Sequence, residues 1–372
     1  MINLYDNMRA ARGEADNALR EHKKGAFVRT SINLILSAAS LAIIDPAGAS
    51  ARPDQPFVPV YRANFPDPFI LEHEDRYLAF ATNAERDEAN VQMAVSEDLV
   101  NWVPLKREGK LHDAMPVLPQ WAERGWTWAP EVLKQGDRFL LFFTARERAS
   151  GRQCTGVAES ADPFGPYIST AEAPLVCQRE LGGTIDASPF RDADGQLYLY
   201  YKADSNAIGK PTEIFVRPMT ADGHSLTGES VALLSNDQSW EGHVIESPTM
   251  VTQGEHYILF FSANHFGWEP NQRLSPYAMG YATCEGPMGP CVDAPENPIL
   301  YSYADRKAGC LSGPGHQAVF NAKGRQYILF HAHVARSGCQ NAKKGRQMYI
   351  APLTWVQSKP VIGRSLRASI DR

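Results

Sequence analysis

Residues 185–203 read IDASPFRDADGQLYLYYKA: a short polar phrase around Asp186, a turn rich in Asp and Gly, then an aromatic apolar run from Tyr198. Four other stretches are built alike, with apolar strands beginning at Tyr77 (YLAFAT), Phe139 (FLLFFT), Tyr257 (YILFFSAN) and Tyr327 (YILFHAH). Ten to twelve residues upstream of the five strands stand Asp67, Trp128, Asp186, Glu246 and His316. Successive copies lie about 60 residues apart, with a longer interval only before the last. Short strands at that period predict an all-β chain, a five-bladed β-propeller with one four-stranded antiparallel blade per copy around a central channel. Equivalent positions of a propeller meet on one ring. The register therefore predicts three carboxylates, a Trp and a His at one end of the channel.

Each copy can be followed through at least three strands. FPDPFIL leads to RYLAFAT and VQMAVS; WAPEVL to RFLLFFTA and TGVAES; IDASPFR to QLYLYYKA and EIFVRPM; IESPTMV to HYILFFSAN and YAMGYAT; GHQAVF to QYILFHAHV and QMYIAPL. Turn pairs such as Glu74-Asp75, Asp194-Gly195 and Lys323-Gly324 suit the hairpins between them. No segment past the N-terminal region holds a helical period, so helix is expected only in loops or before residue 55. One connection, Asn264 to Pro276, is long and carries His265, Phe266 and Trp268. It reads either as a wall of a substrate cleft or as a surface loop packed on its own blade.

The 372 residues fit a single propeller, and a formal charge of -5 argues against nucleic acid or an anionic membrane as the main partner. Residues 1–55 stand outside the repeat. Lys23, Lys24 and Arg29 precede the apolar run Ile32 to Ile44 and then AGASA, the order of a secretory signal cleaved near Ala49 or Ala51. The alternative is a buried helix capping the domain. The polar stretch before the basic residues is long for a signal, which points to a true start at Met8 or near Val28. A periplasmic or secreted protein is expected, with residues 56–372 as one domain free of membrane attachment. Six cysteines, none in C-x-x-C spacing, make a finger-type zinc site unexpected. An exported chain favours disulfides. Fifteen pairings exist for six cysteines; sequence neighbours (Cys154 with Cys177, Cys284 with Cys291, Cys310 with Cys339) are the simplest, and free thiols are the alternative.

Cleaving a glycosidic bond needs one carboxylic acid to protonate the leaving oxygen and one carboxylate on the anomeric side. Asp67, Asp186 and Glu246 meet that demand with one to spare. Glu246 has the longest reach and is the natural proton donor, its proton held by the negative charge of its two neighbours. The phrases FPDPF, WAPEV, IDASPF, IESPTM and GPGHQAV together resemble glycoside hydrolase family 43, over roughly residues 57 to 355. That resemblance implies a five-bladed propeller that releases arabinose or xylose from plant polysaccharide with inversion. It implies Asp67 as general base, Glu246 as general acid, and Asp186 as the residue that tunes and orients the acid. Trp128, Phe69, Ser188, Asn264 and His316 are the expected substrate-binding residues.

His316 is a hydrogen-bonding residue or, alternatively, a metal ligand. No cofactor is required, although a structural ion such as calcium in the channel is an option. CQRELGGTIDASPF, NDQSWEGHVIESP and YATCEGPMGPC resemble the exo-acting arabinofuranosidase branch, and a monomer acting on oligo- or polysaccharide is expected. Related fructan-cleaving propellers carry R-D-P and E-C-P where this chain has Ile185-Asp186-Ala187 and Glu246-Ser247-Pro248. A β-xylosidase and a non-catalytic sugar-binding propeller are the rival readings. G-x-S-x-G, H-E-x-x-H and a phosphate-binding glycine loop are absent from the sequence. His331 and His333, on one face of the last apolar strand, read as structural.

Overall fold

Both faces of every blade are covered by a neighbouring blade, which is why the second strand of each is apolar throughout instead of alternating. Five apolar clusters result, one per junction. Leu78 and Phe80 meet Phe139 and Leu141 between blades one and two. Phe142 meets Leu199 and Tyr201 between two and three, and Tyr200 meets Leu259 and Phe261 between three and four. Phe260 meets Phe330, and Leu329 meets Tyr77, at the remaining junctions. Burying each such side chain contributes about 1.5–3 kcal/mol, before the entropy of ordering is subtracted.

The computed structural model describes residues 57–84, 88–268, 272–305, 309–336 and 339–367. The signal-like stretch and its cleavage point lie outside them. Blade one is Phe69–His73, Arg76–Ala81, Gln92–Ser96 and Val103–Pro104, paired in chain order. Blade three is Thr184–Arg191, Leu197–Ala203, Glu213–Pro218 and Val231–Ser235. Blade four is Ile245–Gln253, His256–Ala263, Ala278–Cys284 and Cys291–Asp293; blade five is Gly315–Ala322, Arg325–Arg336, Gln340–Val356 and Lys359–Ile362.

Blade two departs from the four-stranded expectation, with only Trp128–Gln135, Arg138–Arg146 and Gln153–Ser160. Isolated bridges from its third strand, Glu159 to Ile168 and Thr155 to Val176, mark where a fourth strand would run. Pro174 lies between Ile168 and Val176 and lacks the N–H group a ladder needs.

The first strands of the five blades touch in a closed ring around the channel. Residues near the start of the described chain close that ring: Val60 N–H donates to Met348 O at 2.9 Å and Phe65 N–H to Arg346 O at 2.8 Å, in blade five. Cys154–Cys177, Cys284–Cys291 and Cys310–Cys339 are disulfides, the sequence-neighbour pairing.

Each first strand enters the ring through a bulge; in blade one the Thr82 N–H donates to Pro66 O, one residue out of the register set by Phe69 and Phe80. The ladder skips between Trp128 and Glu131, Ile185 and Ser188, Glu246 and Thr249, and Gly315 and Ala318. The first residue inside each bulge is left-handed: Ala129 (φ 46°), Asp186 (56°), Ser247 (56°) and His316 (51°); Asp67 (56°) holds the same place in blade one. The expected five-fold register is thereby corrected. Trp128 and Glu246 stand one residue before the left-handed position that Asp67, Asp186 and His316 occupy. A bulge inserts a residue without any sequence sign of its own.

Candidate active site

Asp67 and Asp186 sit at equivalent bulges, and each is buried. Asp67 Oδ1 accepts from Arg346 Nη1 at 2.8 Å and lies 3.4 Å from His316 Nδ1 and 3.3 Å from His331 Nδ1. Its Oδ2 accepts from the Thr82 hydroxyl. Burial opposes its charge, but Arg346 first and His316 second outweigh burial and hold the carboxyl well below the usual carboxylate range. Asp67 is therefore ionised across the physiological range.

Asp186 differs. Its Oδ2 accepts the Ser247 N–H at 3.0 Å, and among the described residues no cation forms an ion pair with it. Burial pushes its pKa up to about 7, with Glu246 and Asp67 adding to the rise against His316 and Lys202. Next to it, Glu131 lines the ring one register step on, receives the Ser188 hydroxyl, and is pushed by burial and by Asp186 to about 8. At neutral pH this side of the channel holds protons that the Asp67 side does not.

Glu246 Oε2 accepts from Lys202 Nζ at 2.9 Å and Oε1 from the Tyr277 hydroxyl at 2.7 Å. Tyr277 lies against Gly315, where any Cβ would strike its ring, so this glycine is required by space and not by backbone angle. Glu246 departs from the rise in pKa expected from its two negative neighbours. Burial does raise it, but Lys202 and Tyr277 outweigh burial and the pKa is lowered. The shared proton rests on Asp186 instead.

The other expected residues are distributed unevenly. Trp128 stacks at a tilt 5.9 Å from Trp126, whose ring is 41% exposed and lies 5.0 Å below the Arg146 guanidinium. His316 lies beside Asp67 and 6.0 Å from the His331 ring. Phe69 packs on the apolar clusters flanking blade one, and Ser188 is buried. The Asn264 amide is spent locally, donating to Trp240 O at 3.2 Å and accepting the His265 N–H at 2.8 Å. It anchors the long loop whose Phe266, 49% exposed, lies 5.4 Å from the Arg346 guanidinium. Trp268 in the same loop packs edge-on to His333.

The chain matches Glycosyl hydrolases family 43 over residues 57–359. The chain belongs to that family. It is 28% identical over 286 residues to an arabinoxylan arabinofuranohydrolase of Bacillus subtilis, covering 67% of this chain and 49% of that protein. It is 23% identical to an extracellular exo-α-(1→5)-L-arabinofuranosidase of Cellvibrio japonicus, covering 72% of this chain and 79% of that protein. A thermostable family-43 glycoside hydrolase of known structure superposes with a TM-score of 0.69 at 27% identity, covering 84% of this chain and 97% of that one. The chain spans about half the length of the arabinoxylan arabinofuranohydrolases it matches.

Within this family 43 site, Lys202, Tyr277, Arg346, His331 and Glu131 were not among the residues expected from the sequence. His331, read as structural, contacts Asp67 directly and accepts the Asp67 N–H on Nδ1 at 3.1 Å. Burial lowers its pKa to about 3, so the ring is neutral. A calcium ion takes six to eight oxygen ligands. Around His316, Asp67 is engaged by Arg346 and Thr82, and Glu246 by Lys202 and Tyr277, which leaves Asp186, a poor fit for a cation caged by six or more protein oxygens. Among the described residues, the one tight group of ligand-type atoms is Glu147, Cys154 and Cys177, and its sulfurs form a disulfide. No helix among the described residues is long and apolar enough to cross a membrane.

Proposed function

We propose that this glycoside hydrolase releases L-arabinofuranose, one residue at a time and with inversion, from arabinan or arabinose-decorated xylan. The observation that carries the reading is the split of charge across the channel. An ionised Asp67 faces an Asp186–Glu246 pair that holds one proton near neutral pH. Inverting hydrolysis needs one base and one acid on opposite sides of the sugar.

Asp67 takes a proton from water as the water oxygen bonds to the anomeric carbon. The bond from that carbon to the leaving oxygen breaks, and Glu246 supplies the proton the leaving oxygen requires. Before sugar binds that proton rests on Asp186, and it passes to Glu246 as sugar displaces solvent. Arg346 and neutral His331 keep Asp67 oriented. Trp126 and Phe266, both partly exposed, offer apolar surface for sugar rings. No step passes through a metal.

The arabinose assignment is supported by what the two curated relatives are named for. Three disulfides support work outside the cytoplasm, as the expected signal does, and the chain is taken to act as a monomer. The test is release of sugar from debranched arabinan, arabinoxylan and the p-nitrophenyl glycosides of α-L-arabinofuranose and β-D-xylose. Faster xylose release would favour the β-xylosidase reading, and binding without release from any of them would favour a sugar-binding propeller.

A further inference from the structure

The residue that ends each apolar run in the second strands has a shared task at four of the five blade junctions. A bulge leaves one backbone N–H without a ladder partner, and a buried N–H needs an acceptor. Thr82 Oγ1 accepts the Ala129 N–H of the next blade at 3.0 Å, and Thr144 Oγ1 accepts that of Asp186 at 3.2 Å. Ser262 Oγ accepts that of His316 at 2.8 Å, and His331 Nδ1 that of Asp67 at 3.1 Å.

Lys202 holds this place in blade three, opposite Ile185, and an ammonium group accepts nothing. The orphaned Ser247 N–H goes to Asp186 Oδ2 at 3.0 Å, while Lys202, 1% exposed, donates to Glu246 at 2.9 Å and Asp204 at 3.3 Å. We propose that Lys202 is a positioning residue for the reaction: by breaking the ring's pattern it ties Asp186 to the Ser247 backbone and holds Glu246 by its charge. The two carboxylates that share the acid's proton are thereby fixed relative to each other. This inference rests on Glu246 being the proton donor.

Other charges bear on the same pair. Tyr277 and His316 act on Glu246; His316, Asp67 and Glu131 act on Asp186; Asp204 acts on Lys202. Burial opposes the Lys202 charge, but Glu246, Asp204 and Asp186 outweigh it and keep the cation.

Lys202→Met removes the charge and leaves the Ser247 N–H on Asp186. Lys202→Thr also restores the acceptor used at the other junctions. With the cation gone, the pair holds its proton more tightly, so the high-pH limb of kcat/KM moves upward by roughly half a unit or more in both. Lys202→Thr loses the more activity, about tenfold or beyond in kcat on an arabino-oligosaccharide and far less on an activated aryl glycoside, with KM nearly unchanged. Asp204→Asn acts oppositely: Lys202 then pairs with Glu246 alone, and the limb moves down.

Lys202→Arg keeps the cation and holds the limb near its original place. If neither Lys202→Met nor Lys202→Thr folds, as judged by circular dichroism and melting, the opposed behaviour of Lys202→Arg and Asp204→Asn decides. A limb that stays put in all folded variants, or equal losses on both leaving groups, overturns the inference. Glu246→Gln is the control. Without leaving-group dependence there, the proposed function itself fails; with it, failure of the Lys202 variants strikes this inference alone.

Discussion

Asp67 and Asp186 occupy the same bulge position in blades one and three, share the same left-handed backbone and are equally buried. Arg346, Thr82 and two histidines surround the first; among the described residues the carboxyl of the second has the Ser247 backbone N–H as its hydrogen-bond partner. One is kept ionised and the other is kept protonated to about 7. Symmetry places the two carboxyls, while the surroundings supplied by other strands assign their chemistry. A repeat fold can thus present similar acids to a substrate and still use them in opposite charge states.

The most damaging change to this contrast is Asp67→Asn, expected to cut kcat by roughly 10³-fold with little change in KM, because it removes the base and spares the binding walls. Proton NMR of the first-released sugar should show inversion in the unaltered enzyme, and a retained anomer would remove Asp67 from its role. Glu246→Gln comes next. Its loss should be roughly 10²-fold or more on an arabino-oligosaccharide and small on an aryl glycoside with an activated phenol, since only the first leaving group needs a proton. Equal losses would turn Glu246 into a binding residue.

Arg346→Met sharpens the comparison from the other side. It removes the cation that depresses the Asp67 pKa, so the base is protonated at higher pH and the acid limb of kcat/KM shifts upward. The expected activity loss near neutrality is about tenfold, recovered in part on raising the pH. A limb that does not move would mean that Thr82 and His316 suffice to hold Asp67 ionised.

Much of this was readable in the chain. Apolar runs such as FLLFFT and YILFF declare strands buried on both faces, and their period declares the number of blades. The three acids were found because each stands a near-constant distance ahead of such a run. The one-residue offset of Trp128 and Glu246 escaped because hairpins of unequal length blur the count. Arg346 escaped because it meets Asp67 from 279 residues away, on a third strand whose pattern is set by packing. Lys202 did leave a signal: it ends YLYYK where other runs end in Thr, Ser or His. Its consequence for Glu246 depended on which blade faces it, which only the folded ring supplies.

The contrast between the two aspartates is tested most directly by thermal melting of Asp67→Asn and Asp186→Asn at pH 5.5 and 8. Asp67 has a folded pKa below its unfolded value, so its contribution to stability is present above the unfolded pKa of about 3.9 and is lost only as acid titrates the folded protein. Asp186 has a folded pKa near 7, above its unfolded value, so its contribution is present at low pH and is lost as the pH rises through 7. Asparagine tolerates the left-handed backbone at both positions. Asp67→Asn should lower the melting temperature at both pH values. Asp186→Asn should raise it relative to the unaltered protein at pH 8, by about 2 °C or more, and by less at pH 5.5. Equal destabilisation by the two substitutions at pH 8 would contradict the opposite charge states assigned to this pair.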